Sequence, residues 1–580
     1  METTRERQIK ISIWTLALAL GFLQAWLGRH SMNPDGISYI EIGEAYLRGD
    51  WKNAINGHWS PLYACILASG LSILHPSVFW EFPVVHLMNF FIYVCAMASF
   101  HFLLKEVIKW NRSKLLTGSI LIFPNWIWFI LGYTIFIWTS LMLTTITRES
   151  SDLTTTTLLF LAAGLTVRIR AGQPTLRNFL FLGAVLGLGV LSRSPMVPMS
   201  VVFLGVTFFS VGNSRKAVSL TALALLTLLC VSGPFLFALS KAKGRLTIGD
   251  SAKLGYAWKV NKIPQYVHWQ GTPGYGKPQH PTRKIFDRPA LYEFGEPISG
   301  TYPPWFDPAY WYEGVEPHFN LKSQLSRIFN SLCVYFDFLF QIQGNYSTHT
   351  VYGADAFLVA YLILLLLSQR GKFAFKDLAN EYALIIPALA GLATYGIVQV
   401  LPRYVGGYFT LLWLGIFSSI HLANTAENER ILKIVPVVIS AVIVLGITVS
   451  LALHLYSNVR GITDEDQDNF VQAEVADRLS KSGIQPRTRV ANIGNSIDAY
   501  WARLGRFKIV SEITEHDAHN FWESDSTLRA EIYRKFAETG AHFVVTSNPP
   551  PAVQRDGWNK IGNTNYYVYW LQTPPNKQNP

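Results

Sequence analysis

Eleven apolar runs constrain this chain more than anything else in it. They fall at roughly 11–28, 82–104, 115–133, 153–168, 178–191, 196–211, 217–239, 354–368, 382–400, 405–421 and 432–455. A helix needs about 17–25 residues to cross the ~30 Å of bilayer hydrocarbon, and only helices or closed barrels satisfy their own backbone hydrogen bonds there. Half of the 580 residues are AVILMFWYC and 15% are charged, well under the ~25% usual for soluble domains. The chain reads as an α-helical polytopic membrane protein with about 11 transmembrane helices. Its 18 Trp and 26 Tyr suit many membrane interfaces, where amphipathic rings settle at headgroup level.

The basic residues suggest an orientation. Arg5, Arg7 and Lys10; Lys105, Lys109, Arg112 and Lys114; Arg168, Arg170 and Arg177; Arg215 and Lys216; Arg370, Lys372 and Lys376; and Arg430 and Lys433 share one side if the N-terminus is cytoplasmic. That parity requires 61–74 and 134–147 to be interfacial or re-entrant rather than spanning. It leaves 29–81, 147–152, 240–353 and everything after about 456 outside. The net charge of +11 sits in these short clusters rather than on one basic face, which argues against a nucleic-acid partner. The first run lacks a small-x-small cleavage site and reads as a retained span. Cys65, Cys95, Cys230 and Cys333 stand singly in apolar surroundings, as small buried hydrophobes do.

Two outer segments differ in composition from the rest. The stretch 240–353 is dense in Pro and aromatics, as in GTYPPWFDPAYWYEGVEPHF, with no obvious regular structure before an apolar run at 325–343. Its aromatics argue against disorder; they suit either a cover for a saccharide or a stiff lid with no sugar contact. After the last run, RVANIG, FKIVSEI and HFVVTS alternate with helical patterns at 470–481 and 527–538, which predicts a small α/β domain over 456–580. VANIGNS lacks the G-x-G-x-x-G spacing of a dinucleotide site, and the tail TPPNKQNP is expected to be loose.

Directly outside the first span lies Asn33-Pro34-Asp35-Gly36-Ile37-Ser38-Tyr39, continued by IEIGEAYLRGDWKNAINGHWSPLY to Tyr63. It places a carboxylate where a lipid-borne substrate meets water. These residues resemble the first external loop of the GT-C superfamily of membrane glycosyltransferases, the polyprenyl-phosphate-sugar-dependent type that includes dolichyl-phosphate-mannose protein mannosyltransferases and aminoarabinose lipid A transferases. The resemblance implies that Asp35 is the catalytic base. The family often has a second acid next to this Asp, where this chain has Gly36, so no role of that second acid carries over. A purely local reading makes Asp35 or Asn33 a helix cap. INGHWSPLY resembles the family's aromatic-Ser-Pro-Leu step, which makes His58 and Trp59, with Tyr39, candidates to line the sugar and acceptor site. Trp59 suits an interface anchor equally well. Glu41 and Glu44, three apart, read as a solvated helix face.

Transfer from a polyprenyl-phosphate sugar needs a base for the acceptor hydroxyl, charge compensation for the departing phosphate, and alignment of the two. Phosphate leaves as a stable anion, so one carboxylate with cations is a sufficient kit. Arg403 in QVLPRYVGGYF and Arg193 in GVLSRSPMVP are lone arginines at external span ends, against the cytoplasmic bias. A planar donor fork suits phosphate oxygens, although span-end arginines also snorkel to headgroups. The P-R-Y string resembles the family's Arg-Tyr motif, which adds Tyr404, and Leu-x-Arg resembles its fifth-to-sixth helix turn. Arg148 is a third candidate. In TRESSDLTTTTLLFLAAGL, Glu149 and Asp152 resemble the family's second acid at the start of the fourth helix. Ser150 or Ser151 capping that helix, with acids favoured by its dipole, accounts for the same residues. Asp35 and Asp152 are the candidates for holding a divalent cation, Mg or Mn, beside the phosphate.

The expectation is a catalytic membrane domain over 1–455, with external loops at 29–81 and 240–353, and a C-terminal periplasmic α/β domain over 456–580. It implies a multi-pass protein of the cell inner membrane that uses a polyprenyl-phosphate sugar as donor and glycosylates a glycan, lipid or protein acceptor. A transporter or flippase of lipid-linked sugars is the rival; it needs substrate groups near the bilayer midplane, whereas here the ionisable residues gather at one face.

Overall fold

Among the residues that the protein's computed structural model describes, 4–114, 120–121, 123–294, 299–340, 354–367, 375–420, 422–459, 464–551 and 556–571, each of the eleven runs contains a helix, although the run 115–133 is helical only from Asn125. Arg370, Lys372 and the tail TPPNKQNP lie outside the described residues. Among the described residues, six helices are long and apolar enough to cross a membrane: Thr4–Leu27, Val78–Ser113, Asn125–Thr144, Asp152–Arg170, Ser214–Lys243 and Ala426–Leu453. The other five runs form helices Leu176–Ser192, Met196–Ser210, Ala354–Leu367, Tyr382–Gly396 and Pro402–Ser418. The chain divides into two compact units, one of residues 1–28, 86–248 and 319–460, the other of 29–85, 249–318 and 461–580.

In the first unit, Asn125–Thr144 and Asp152–Arg170 are mostly buried, whereas Thr4–Leu27 and Ser214–Lys243 turn most of their apolar surface outward. Phe209 is 81% exposed and Phe237 73%; side chains of this kind need lipid around them. Cys95, Cys230 and Cys333 are likewise exposed, which corrects the expectation that they are buried. One span is also placed differently. From Asn125 onward, the expected span 115–133 and most of the expected non-spanning piece 134–147 form a single rod, helix Asn125–Trp138 continued by a π-helical turn Thr139–Thr144. The polar pair Thr139 and Ser140 does not break it, because both hydroxyls donate back to carbonyls in the preceding turn. Helix Leu321–Phe340 fastens one face to the helix ending at Gly396, through Arg327 Nε to the Val398 carbonyl (2.6 Å) and Tyr335 to the Leu392 carbonyl (2.7 Å). Its other face exposes Leu325, Phe329, Leu332 and Phe336, the pattern of a helix lying along a lipid surface.

The second unit is an α/β domain with more chain in it than its C-terminal part. Its sheet has strands β1 (Arg283–Phe286), β2 (Leu291–Glu293), β3 (Arg489–Gly494), β4 (Lys508–Thr514), β5 (Phe543–Ser547), β6 (Asn559–Lys560) and β7 (Tyr566–Trp570), in the order β1-β2-β4-β3-β5-β7-β6. β3 runs parallel to both β4 and β5, and the remaining pairs are antiparallel. Alternate residues serve opposite faces: Val490, Ile509 and Val545 join one core, and Ala491, Val510 and Val544 the other. The stretch read from composition as lacking regular structure therefore supplies two strands. It also forms its own aromatic knot, in which Trp269 stacks on Tyr312 at 5.0 Å. Buried His268 anchors it to the sheet, with Nε2 2.5 Å from Glu512 Oε1, an oxygen that also accepts from the Tyr302 hydroxyl at 2.7 Å.

Glu41 and Glu44 are not a solvated face. Arg503, 3% exposed, spans Glu44 and Glu81, with Nη2 3.1 Å from Glu81 Oε1 and Nη1 3.0 Å from Glu44 Oε2. Arg506 Nη2 adds a contact of 2.6 Å to Glu81 Oε2. Both Glu41 oxygens accept from the Thr301 amide at 3.0 Å. The partners come from remote stretches of chain, which local periodicity cannot reveal. Removing a buried partner strands the remaining charges. Arg503→Ala is expected to destabilise this unit by about 3–5 kcal/mol, seen as a lowered unfolding midpoint in a purified, detergent-solubilised sample.

Burial raises the Glu44 carboxyl, but Arg503, Arg506 and Arg48 together outweigh it, so the group is held at about 2 against an ordinary 4.5. The folded value lies below the unfolded one, so this stabilisation is complete above pH 4.5 and is lost as pH falls toward 2. An acid titration of thermal unfolding should show that slope in the parent and a flatter one in Glu44→Gln.

Candidate active site

Asp152 is the first residue of helix Asp152–Arg170, and Arg193 is the residue after helix Leu176–Ser192. One turn into the first helix, the Thr155 hydroxyl meets the Ser192 hydroxyl at 2.9 Å, which brings the start of one helix against the end of the other. Arg193 then forms an ion pair with Asp152 Oδ1. Arg403 arrives on a third helix, Pro402–Ser418, in the first turn behind Pro402. Gly407 of that helix lies against Thr156 and Leu159, where an added Cβ would stand 2.9 Å from the Leu159 side chain. This close approach carries Arg403 Nε to 3.5 Å from Asp152 Oδ2. The Ser150 hydroxyl donates to the same oxygen at 2.8 Å. Ser151, the residue preceding the helix, makes no side-chain capping bond.

Tyr404 closes the cluster. The Arg193 guanidinium carbon lies 4.0 Å from its ring centroid, and Arg403 Nη2 lies 3.4 Å from its hydroxyl. Asp152 is 1% exposed while the two arginines keep 20% and 15%, so the carboxylate is sealed beneath guanidiniums that retain an open side. Two guanidiniums thus meet at one carboxylate, beside the N-termini of two helices whose dipoles favour anions. The arrangement is suited to a phosphate group.

Glu149 takes a different part. It is buried, with Oε1 2.9 Å from Nε2 of equally buried His86. Asn89 Nδ2 donates to the Ile146 carbonyl (3.0 Å), and Gln24 Oε1 accepts from the Ile146 amide (3.0 Å), so the segment ahead of Asp152 is clamped. His86 was not singled out by the sequence; a histidine in an apolar span carries no local signal of its partner. Arg148 is exposed, and its carbonyl accepts from Asn89 at 3.5 Å.

Asp35, Tyr39, His58 and Trp59 belong to the other unit. Helix Pro34–Leu47 is capped by Asn33, whose side chain accepts from the Gly36 amide at 2.9 Å. Asn33 performs the capping, which leaves half-buried Asp35 in the first turn without that duty. Tyr39 and Trp59 are buried and meet edge to face at 5.3 Å. The Trp59 indole donates to the Trp305 carbonyl at 3.3 Å, so Trp59 is fixed inside the unit and is not an interface anchor. His58 is half-buried, and its amide donates to Asn56 Oδ1 at 2.8 Å.

A divalent cation does not fit the donors at Asp152. Its two oxygens already face two guanidiniums, and a metal there would meet both. Among the described residues no group of three His, Cys, Asp or Glu has a metal-holding arrangement.

No family model and no curated protein matches the chain. Among solved structures it is similar to ArnT from Cupriavidus metallidurans bound to undecaprenyl phosphate, at 11% identity and a TM-score of 0.49 over 97% of this chain and 98% of that one. It is also similar to the Archaeoglobus fulgidus oligosaccharyltransferase, at 12% and 0.46 over 93% and 68%. A third similarity is to the Saccharomyces cerevisiae protein O-mannosyltransferase Pmt1-Pmt2 complex bound to the sugar donor, at 11% and 0.41 over 79% and 90%. All three are GT-C membrane glycosyltransferases.

The cluster predicts its own test. Asp152→Asn removes the charge that balances two arginines and should cost about 1.5–3 kcal/mol, read as a lower unfolding midpoint. Added inorganic phosphate should restore more of that loss in the variant than it adds to the parent.

Proposed function

We propose that this protein is an integral-membrane glycosyltransferase that moves a sugar from a polyprenyl-phosphate carrier to an acceptor on the periplasmic face of the inner membrane. The convergence of Arg193 and Arg403 on Asp152 carries the reading. Two arginines placed against the orienting bias and locked onto one sealed carboxylate have a purpose beyond anchoring to headgroups.

In the proposed reaction Asp35 accepts the proton of the acceptor hydroxyl. The acceptor oxygen bonds to the anomeric carbon as the bond from that carbon to the phosphate oxygen breaks. The electron pair leaves on the phosphate, which departs as the free polyprenyl phosphate. Arg193, Arg403 and Tyr404 bind and compensate that phosphate, and Asp152 holds both arginines in place. A single displacement inverts the anomeric centre. Tyr39 and Trp59 support the helix bearing Asp35, and His58 is the aromatic of this group with the most open surface. The membrane portion within 1–455 does the chemistry and 456–580 is the periplasmic domain.

Purified protein given labelled polyprenyl-phosphate sugar and a membrane extract as acceptor source should release carrier phosphate and transfer sugar. Asp35→Asn should lower transfer by about 10²–10⁴-fold with unchanged folding and donor binding. Parental turnover in that variant would remove Asp35 as the base, and a parent that moves intact donor across vesicles without releasing carrier would be a flippase.

A further inference from the structure

The α/β unit contains a crevice that the transfer chemistry leaves unused. Its chain enters the parallel part of the sheet at β3, crosses to β4 on one side, then returns past β3 to β5 on the other. The strand order therefore reverses between β3 and β5. In open α/β sheets, ligands bind outside the carboxyl ends of the strands at such a reversal. A cavity of about 300 Å³ lies there, lined by Asn492, Ile493 and Asn495 at the end of β3 and by Ser547 at the end of β5. That size is at the small end of ligand pockets.

The lining identifies the class of occupant. Asp498 is preorganised: Asn495 Nδ2 donates to one of its oxygens at 2.6 Å and the Tyr500 hydroxyl to the other at 2.9 Å. Tyr566 and Tyr500 add aromatic surface. None of the lining side chains is Lys or Arg, which disfavours a phosphate or carboxylate, and the strand-to-helix turn lacks the glycine spacing of a nucleotide site. A carboxylate and amides that pair with adjacent hydroxyls, set beside aromatic rings, suit a neutral saccharide.

We propose that this crevice binds a neutral saccharide portion of the acceptor. Met32 also lines it and precedes Asp35 by three residues, so the crevice wall lies within about 11 Å of the Asp35 backbone. A sugar bound there is held close to the group assigned to deprotonate the acceptor. The word acceptor rests on the transferase reading; binding itself does not.

Equilibrium dialysis of the full-length purified protein against fluorescently tagged maltotriose, N-acetylchitotriose and oligogalacturonate tests this. The parent and Asp35→Asn should bind at least one of the two neutral probes equally well. Asp498→Ala and Ser547→Trp should each weaken that binding roughly tenfold or more. Ser547 is exposed at a strand end, so its replacement fills the crevice without disturbing the core, as an unchanged unfolding midpoint will show. The inference is overturned if neither neutral probe binds the parent, if both crevice variants bind as the parent does, or if oligogalacturonate binds in preference. Retained transfer in Asp35→Asn alongside lost binding in Asp498→Ala would overturn the assigned base and leave the crevice standing.

Discussion

A guanidinium taken out of water must be neutralised where it lies, and in the α/β unit that requirement falls on Arg503. It is fully inside the unit, and its charge is met by Glu44 from the helix that begins at Pro34 and by Glu81. Burial of the ion is costly, and only complete pairing recovers the cost. The helix bearing Asp35 is consequently tied through its far end to the short helix Tyr500–Leu504 that carries Arg503, while Thr301 grips Glu41 one turn earlier. Segments hundreds of residues apart become one folded body because separating them would leave bare charges in an apolar interior.

The same logic, with a different balance, operates at Asp152. Arg503 is answered by more than one carboxylate and is electrically quiet. At Asp152 the ratio is reversed, with two guanidiniums on one carboxylate, and the guanidiniums keep part of their surface open. Both clusters are rigid, but one closes a structure and the other presents a charge. Burying Asp152 beneath the arginines also fixes their planes, so neither has to be ordered when an anion arrives.

Much of this was legible in the residues. The helices were visible because apolar runs bounded by basic clusters are what a bilayer demands, and the alternation in RVANIG and HFVVTS marked the inner strands of the sheet. Arg193 and Arg403 stood out as departures from the charge bias. That they converge on Asp152 was not visible, since it depends on how three helix ends pack. Glu41 and Glu44 misled because a helical face of acids looks solvated until its partners, Thr301 and Arg503, hundreds of residues later, are known. Strands of four and three residues at 283–293 are too short for alternation to register, and they were hidden among prolines and aromatics. The rod from Asn125 to Thr144 was not legible because the charge parity set 134–147 apart as a non-spanning piece, whereas the Thr139 and Ser140 hydroxyls bond to the preceding turn and let the helix continue.

On the proposed reading, the charge at Asp152 explains why two arginines are paired with an acid instead of standing alone. The donor is a phosphodiester and carries one negative charge; the departing phosphate is a monoester and carries close to two near neutral pH. A carboxylate beneath two guanidiniums tempers their charge so that the site does not overwhelm the donor, and attraction grows as the leaving oxygen becomes negative. Two unbalanced arginines would hold donor and product alike too strongly, which lowers the ground state as much as the transition state. The carboxylate therefore sets the amount of positive charge as well as its position, and the favourable interaction grows in step with the bond that breaks.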